Sequence, residues 1–427
     1  MKVVHFSTTI DKRNGAGLAA YRLHRGLIRL GHDSTMFVAE IQGEPNDPSV
    51  TLFRPPRDLL SRARRRLRRL RKARGLARYR AARPAGYEGF SDDRNPYGAE
   101  LVAQLPPCDI INIHVMVNFL DYRGFFAAAP GHAAVVRIMH DMNFFTGGCH
   151  YDAACGKHAT RCGACPQLGS RKERDLSREI WQRKHVALSA VEPGRLHLVT
   201  PSRWLANEAR RSALLRDFPI TVIPNGSDTE VFRPRDRYLA REILRVPQDA
   251  LAILFVAEPV TRHHKGFVLL AKALDCLEDV RNVLLISAGS GKPPLEVRVP
   301  HLRLGHVADE RLLSLAYSAA DVFVIPSLQD NCPQTVLEAM ACGTPVIGFA
   351  VGGIPDMVRP GVTGLLVRPQ DVAALSSAIS ELLRDPAARM EMAANCRRIA
   401  VEEYAPEVQA RRYIDLYGSI LADRRPA

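Results

Sequence analysis

The sequence lacks any apolar run near the roughly 20 residues that a helix needs to cross a bilayer. The short apolar run after Lys2 stops at Ser7 and is typical of a first strand, so no secretory signal peptide is expected. A cytoplasmic location is therefore expected. The 427 residues predict two or three globular domains.

The sequence also lacks the even number of cysteines that a full set of disulfides would need. Nine cysteines are present, and an odd total argues against a full disulfide framework. Four of them fall within 17 residues, with His150 and His158 interleaved. Four thiolates fit a structural tetrahedral zinc site; a redox dithiol and four reduced, unliganded thiols are the alternatives. The predicted zinc ligands are Cys149, Cys155, Cys162 and Cys165.

Acidic residues are almost absent from one segment. Residues 57–83 hold thirteen Arg and Lys against one acid, Asp58, so this segment carries +12 of the net charge of +14. Apolar residues recur there every three or four positions and predict one face of a helix. They are Leu60, Ala63, Leu67 and Leu70.

This basic segment has three interpretations. A narrow Leu/Ala stripe among arginines is typical of a helix at a lipid headgroup surface, which predicts peripheral docking on an anionic membrane at the inner face of the cell membrane. The alternatives are a solvated helix or disordered insertion, and a nucleic-acid-binding protein that uses the cysteines as a zinc knuckle. The nucleic-acid interpretation leaves the motifs of the second half unused, so we expect no nucleic-acid partner.

Strands that alternate with helices predict an α/β fold with two doubly wound parallel sheets. In the opening βαβ unit, Asn14-Gly15-Ala16-Gly17 is predicted to form a turn before a helix from about Leu18 to Leu30, and Gly15 and Gly17 would let this loop approach donor phosphates. The expected domains are 1–195, with a basic insertion at 55–95 and the cysteine cluster at 149–165; 196–404; and a helix in 405–427 that packs back on the first domain.

The most informative segment runs from Pro326 to Pro345. A strand ends at Pro326, Asp330 lies in the following loop, and Pro333 is favoured at the first position of the next helix. The amides of Gln334 and Thr335 would receive a diphosphate at the helix N-terminus. Glu338, just over one turn further, is placed to hydrogen-bond a ribose.

Asp330-x7-Glu338, followed by Ala-Met-Ala-Cys-Gly-Thr-Pro-Val, resembles the Glu-x7-Glu signature of family-4 retaining glycosyltransferases. The resemblance implies a GT-B fold, in which two Rossmann-like domains face a cleft. It also implies that Asp330 contacts the donor sugar and that Glu338 holds the ribose. Aspartate is one methylene shorter than the glutamate usual at the first position.

Further motifs resemble the same family in the expected order. The run Ile223–Pro234, which contains Asn225, is similar to the family's turn after the hinge, and Lys265-Gly266 to its pyrophosphate-binding lysine. Glu258 lies where the family often has an arginine, so the second phosphate role is assigned to Arg262. Gly305-His-Val307 resembles the run that lines the base pocket.

In the first half, His140 follows a strand, and the resemblance places this histidine beside the transferred sugar; His114 is a second strand-end candidate. The run from Thr146 through Leu168 resembles transferases that build colanic-acid-like exopolysaccharides. This resemblance indicates polysaccharide biosynthesis without naming the sugar.

The predicted function is a retaining, hexosyltransferase-type enzyme that moves a sugar from a nucleotide-sugar donor to a glycan acceptor, in particular a lipid-linked one. Lys265, Arg262 and a helix N-terminus would stabilise the leaving diphosphate. No Asp-x-Asp pair is present, so no cofactor is expected to be required for catalysis, and structural zinc is the one metal considered. The alternatives are a GT-B phosphorylase, a nucleotide-sugar epimerase and, remotely, the basic nucleic-acid-binding protein.

Overall fold

The computed structural model describes residues 1–10, 15–41, 47–87, 89–192 and 194–424. The chain forms two compact units. The first unit comprises Met1–Ile223 and Ala410–Ala427, and the second comprises Pro224–Gln409. No helix among the described residues is long and apolar enough to cross a membrane.

The first unit contains a seven-stranded sheet in the order β3-β2-β1-β4-β5-β6-β7, and every paired neighbour is parallel. The strands are β1 (Lys2–Ile10), β2 (Asp33–Ile41), β3 (Val50–Leu52), β4 (Ile110–Ile113), β5 (Ala134–Ile138), β6 (Leu196–Thr200) and β7 (Ile220–Val222). The helices are α1 (Gly15–Arg29), α2 (Leu59–Ala77), α3 (Ala99–Val102), α4 (Tyr122–Ala128), α5 (Leu176–Ser189) and α6 (Arg203–Arg211).

The second unit repeats this topology with six parallel strands in the order β10-β9-β8-β11-β12-β13. The strands are β8 (Leu251–Val256), β9 (Val283–Ala288), β10 (His301–Gly305), β11 (Val322–Ile325), β12 (Val346–Phe349) and β13 (Gly364–Val367). The helices are α7 (Arg237–Leu244), α8 (Phe267–Asp275), α9 (Glu310–Ala319), α10 (Gln334–Ala341), α11 (Ile354–Met357), α12 (Val372–Arg384) and α13 (Pro386–Tyr404), and α14 (Pro406–Asp423) ends the chain.

The central strands are short apolar runs with no polar alternation because helices cover both faces of each sheet. All residues of β4, β5, β11 and β12 are buried. In both sheets the strand order reverses once, between β1 and β4 and between β8 and β11. Ligands of doubly wound sheets bind at such a reversal, beyond the carboxyl ends of the strands.

The observed units differ from the sequence-based boundary at 195/196. The strands β6 and β7 pair in the first sheet, so the chain leaves the first unit only after Ile223. The terminal helix packs there as well, where Tyr413 and Tyr417 join a core cluster with Val3 and Ile110.

The helix α1 begins earlier than expected. Gly15 and Gly17 lie in its first turn rather than in the turn predicted before it. Their approach to donor phosphates stays a prediction. Asn14, the first residue of the predicted turn, lies outside the described residues. At the other end, Gly31 has a φ of 81°, a left-handed conformation that ends the helix.

Candidate functional site

Four loops converge at the carboxyl edge of the second sheet, where the strand order reverses. The Leu328 amide, after β11, donates to the His264 carbonyl oxygen, after β8, at 2.7 Å. The Gly353 amide, after β12, donates to the Asp330 carbonyl oxygen at 2.9 Å. The Ser290 amide, after β9, donates to a Glu258 carboxylate oxygen at 3.2 Å. These three hydrogen bonds therefore hold together the loops that carry the predicted binding residues.

Lys265 and Asp330 form the central ion pair of this edge. The Lys265 Nζ lies 2.6 Å from Asp330 Oδ2, which also accepts from the Ser327 hydroxyl at 3.3 Å. The Asn331 amide donates to the other carboxylate oxygen at 3.1 Å. The Asp330 side chain is 8% exposed and that of Lys265 21%, so the carboxylate is held inside and the ammonium group reaches solvent. Two residues that the sequence separates by 65 positions are thus brought together.

Two glycines allow these loops to approach closely. Gly266 has a φ of 75°, and a Cβ atom there would lie 1.8 Å from the Pro326 carbonyl oxygen. Gly352 has a φ of 55°, and its Cβ atom would lie 1.8 Å from the Asp330 carbonyl oxygen. Any larger residue would push the loop after β11 away from its neighbours. Gly266 therefore positions the loop of Lys265, a role that differs from direct ligand contact.

The helix α10 begins at Gln334, one residue later than expected, because Pro333 has an extended conformation and serves as the N-cap. Gln334 and Thr335 form its first turn and are half-buried. Glu338 lies one turn further and is 6% exposed. Its Oε2 accepts from the Tyr317 hydroxyl at 3.1 Å. Burial and the Glu338 carboxylate raise the pKa of Tyr317 well above its ordinary value, which keeps the phenol protonated as a donor.

Glu258 is a site residue whose role sequence reasoning missed. Its carboxylate accepts from both the amide and the hydroxyl of Ser290, and it lies 2.8 Å from His306 Nδ1. Although burial opposes ionisation, these partners hold the pKa of Glu258 below its ordinary value. Its position directly after β8 was the available signal. This acid therefore joins the loops after β8, β9 and β10, a task that the family's arginine would not perform.

The remaining predicted residues of this unit lie around the same edge. Asn225 is buried beside the thiol of Cys332, a residue of the loop that follows Asp330. Val307 follows β10 and is half-buried. Arg262 is exposed on the loop that leads to Lys265, and within the described parts of the chain its side chain has no hydrogen bond or ion pair.

In the first unit, His140 belongs to a row of histidines. The His114 and His140 rings stack at a centroid distance of 5.8 Å, and His114 Nε2 lies 2.9 Å from His5 Nδ1. The His24 ring packs edge-on against His5. Burial, with the nearby Arg137 guanidinium, lowers the pKa of His140 to about 4. His140 is therefore a neutral imidazole near neutral pH.

The four clustered cysteines line one small cavity of about 20 Å³. The thiols of Cys149, Cys162 and Cys165 are buried, and that of Cys155 is half-buried. The Gly147 amide donates to Cys162 Sγ at 3.2 Å, the kind of bond that a thiolate ligand accepts. Among the described residues, however, no three His, Cys, Asp or Glu side chains are already arranged as a metal shell. Zinc would have to draw these thiols together, so the zinc site stays a prediction.

Comparisons with known proteins agree with this geometry. Residues 250–385, which include Lys265, Asp330 and Glu338, match the family model of glycosyl transferases group 1. Sucrose-phosphate synthase from Thermosynechococcus elongatus superposes with a TM-score of 0.66 at 20% identity, covering 99% of this chain and 100% of that one. A glycosyltransferase of lipopolysaccharide biosynthesis, WaaG, gives 0.65 at 17% identity, covering 97% and 99%. The fold is GT-B. The fold class predicted from the sequence is confirmed.

Curated relatives of this GT-B chain are named D-inositol 3-phosphate glycosyltransferase. The protein from Geodermatophilus obscurus is 37% identical over 196 residues, which are 42% of this chain and 43% of that protein. The protein from Thermobispora bispora is 31% identical over 241 residues, which are 51% and 56%. The chain thus spans about half the length of the curated relatives it matches. Their name differs from the expected colanic-acid-type transferase, so the narrower resemblance is not confirmed.

Proposed function

We propose that the protein is a glycosyltransferase that moves a sugar from a nucleotide-sugar donor to an acceptor. The observation that carries this proposal is the Lys265–Asp330 ion pair at the strand-order reversal, beside the first turn of α10. It lies within the segment that matches the transferase family. A GT-B protein of similar fold from Anabaena, HepE, was crystallised with UDP-glucose, which supports a nucleotide-sugar donor.

The proposed chemistry follows from the charges at this edge. Departure of a nucleoside diphosphate develops negative charge, which Lys265 and the amides of Gln334 and Thr335 would stabilise. Arg262 reaches from solvent toward the second phosphate in this scheme. The ammonium group of Lys265 would then contact both the donor phosphates and Asp330.

In this proposal, the carboxylates of Asp330 and Glu338 bind the uncharged sugar and ribose of the donor. Asp330 would accept hydrogen bonds from sugar hydroxyls, and Glu338, oriented by Tyr317, would accept from the ribose. Asn225 and Gly266 would hold the loops of Asp330 and Lys265 in place, and Val307 would pack against the nucleobase of the donor. His140 of the first unit would approach the transferred sugar, as the resemblance implies.

Retention of anomeric configuration and the acceptor are finer parts of the proposal. The segment around the cysteines supports a lipid-linked glycan acceptor in polysaccharide biosynthesis, whereas the curated relatives' name supports a small inositol phosphate. We favour the glycan acceptor and a cytoplasmic site of action. No observation favours the phosphorylase or epimerase alternative.

The donor site is tested by binding and turnover with a panel of nucleoside diphosphates and nucleotide sugars. A cognate donor should raise the melting temperature by mass action. Lys265→Ala should fold normally and lower kcat by on the order of a hundredfold, because it removes leaving-group stabilisation. Lys272→Ala, an exposed lysine of α8, is the matched control and should keep full turnover. Full turnover of Lys265→Ala would refute the assignment.

The acceptor is tested by offering inositol 3-phosphate and lipid-linked glycans in parallel with the cognate donor. Transfer only to the glycan supports the favoured acceptor, and transfer only to inositol 3-phosphate overturns it. The anomeric configuration of the product, read by NMR, tests retention. Turnover that survives a chelator would agree with metal-independent catalysis, and turnover lost in chelator would contradict it.

A further inference from the structure

The arginine-rich helix α2 is attached to the first unit by its polar side. The Arg68 Nη1 donates to the Asn95 carbonyl oxygen at 2.6 Å and to Asp121 Oδ2 at 3.1 Å. The Lys72 ammonium donates to Asn118 Oδ1 at 2.6 Å.

Two further positions complete this packed side. The Arg65 guanidinium lies 5.9 Å from the centre of the Tyr97 ring, and Gly75 is buried against Arg94 and Leu176. Positions 65, 68, 72 and 75 are three or four residues apart, so they share one side of the helix.

Four leucines of α2 therefore face away from the protein, whereas Leu76, near the end of the helix, packs against the core cluster that contains Leu168. Leu59 and Leu60 are 81% and 72% exposed, and Leu67 and Leu70 are 49% and 46% exposed. An amphipathic helix of a globular domain normally buries its apolar stripe. Here the arrangement is inverted: arginines attach the helix and leucines meet solvent.

Exposed arginines surround these leucines. Six of the nine basic residues in Leu59–Ala77 are exposed, and the helix contains no acidic residue. The exposed arginines are Arg62, Arg64, Arg66, Arg69, Arg71 and Arg74. The outward surface thus combines an apolar stripe with a dense, uncompensated positive charge.

We propose that the outward surface of α2 docks on an anionic lipid bilayer, with the leucines inserted among the acyl chains and the arginines on the headgroups. Leucines suit the apolar acyl chains of such a bilayer, and the flanking arginines suit its anionic headgroups. A second copy of the chain is a poor partner because two arginine surfaces repel each other. A nucleic-acid strand would leave the leucines unused, and Leu59–Ala77 offers no aromatic ring for base stacking.

This inference goes beyond the proposed glycosyl transfer and does not depend on it. Each basic residue near an anionic surface strengthens binding by roughly fivefold, and salt weakens the attraction. The exposed arginines alone can therefore hold the enzyme at a lipid surface at low ionic strength.

The test is co-sedimentation of the full chain with vesicles of phosphatidylcholine alone and of phosphatidylcholine with phosphatidylglycerol, at low and high salt. The wild-type protein should pellet with the anionic vesicles at low salt. A variant with Arg64→Gln, Arg66→Gln, Arg69→Gln and Arg71→Gln should bind the anionic vesicles on the order of several hundredfold more weakly at low salt. These side chains avoid the packing contacts of Arg65 and Arg68, so the melting temperature should not change.

Two further variants separate lipid docking from simple charge attraction. Leu67→Ser with Leu70→Ser keeps every charge and should weaken vesicle binding several-fold, because it removes insertion into the acyl region. The matched control carries Arg281→Gln, Arg368→Gln, Arg384→Gln and Arg398→Gln, four exposed arginines of the second unit, and should bind like wild type.

Several outcomes would overturn the inference. They are wild-type protein that stays in the supernatant with anionic vesicles at low salt, equal loss of binding in the control variant, and full binding by the leucine variant. Binding of single-stranded RNA that displaces the protein from vesicles and depends on the same arginines would instead assign the surface to nucleic acid.

Discussion

At the scale of single residues, the buried pair of Tyr317 and Glu338 shows how a carboxylate is kept ready for a ligand. The phenol is fully buried and donates one hydrogen bond to Glu338 Oε2. This donor orients the carboxylate. The ribose-binding role proposed for Glu338 would therefore depend on Tyr317.

The first prediction concerns this pair. Glu338→Gln should preserve the fold, since the amide oxygen still accepts from Tyr317, and should lower nucleoside diphosphate affinity about tenfold. Tyr317→Phe should lower both affinity and stability by about 1–2 kcal/mol, because it removes the donor from a buried carboxylate. Titration calorimetry measures the nucleotide affinity, and thermal unfolding measures the stability. Glu381→Gln, on an exposed part of α12, is the control. Unchanged affinity in Glu338→Gln would remove this residue from the site.

The buried histidines yield a prediction on acid stability. Burial lowers the pKa of His24 to about 4, whereas an unfolded histidine titrates near 6.5. Below the unfolded value, the unfolded chain binds a proton that the folded protein does not. The free energy of unfolding should therefore be at its full value above about pH 6.5 and fall as the pH drops toward 4, by on the order of 3 kcal/mol for His24.

Urea unfolding at a series of pH values measures this dependence. His24→Gln, which can still bond Ser34 and Ser49, should flatten part of the slope. His32→Gln is the control, because His32 lies just beyond α1. A stability that does not change between about pH 7 and about pH 5 would contradict the neutral, buried state of these rings.

At the scale of elements, the sequence predicted the helices and strands better than it predicted their surroundings. The spacing of Leu60, Ala63, Leu67 and Leu70 correctly indicated one helical face, but it could not show which side of the helix packs on the protein. The partners that fix the packed side are Asn95, Asn118 and Asp121, up to 53 residues further along the chain. Because these contacts form only in the folded unit, local patterns could not identify the packed side.

The candidate site shows the same division. The Asp330-to-Glu338 spacing and Pro333 were sufficient to predict a loop followed by a helix, and the structure shifts the start of α10 by one residue. The Lys265–Asp330 ion pair and the bonds of Glu258 join separate strand ends. Sequence reasoning could place them at one edge through the rule for parallel strands, but it could not give their pairing.

The cysteine segment carries the third prediction. The purified protein should contain about one zinc per chain by elemental analysis, since four thiols line one cavity. Cys162→Ser should lose the metal and lower the melting temperature, because the metal would tie together a loop-rich segment. Cys276→Ser, an exposed cysteine outside the cavity, is the control. Metal-free wild-type protein whose melting temperature is unaffected by added zinc or chelator would rule out the site.

At the scale of the whole molecule, the chain returns to its first unit at the end. The segment from Pro224 to Gln409 forms the second unit, and α14 then joins the core of the first. The Tyr417 hydroxyl accepts from the Asn112 side-chain amide at 2.6 Å, a contact between residues 305 positions apart. The first unit is therefore incomplete until the last helix has been synthesised.

The last prediction follows from this arrangement. Tyr417→Ala removes a fully buried ring from a cluster that includes Val3 and Leu23, and should destabilise the first unit by about 3–5 kcal/mol. Tyr417→Phe should cost about 1–3 kcal/mol, because the buried Asn112 amide loses a partner. The second unit has its own core, so the stabilisation that a nucleoside diphosphate confers on it should survive both changes.

Differential scanning calorimetry with and without the nucleotide separates the two effects, since two units can unfold in separate transitions. The Tyr417 variants should lower the transition that the nucleotide does not raise. Tyr238→Ala, which truncates an exposed ring of α7, should lower neither transition. If Tyr417→Ala lowers the nucleotide-sensitive transition by the same amount, then the two units unfold together, and the terminal helix stabilises the entire chain rather than the first unit.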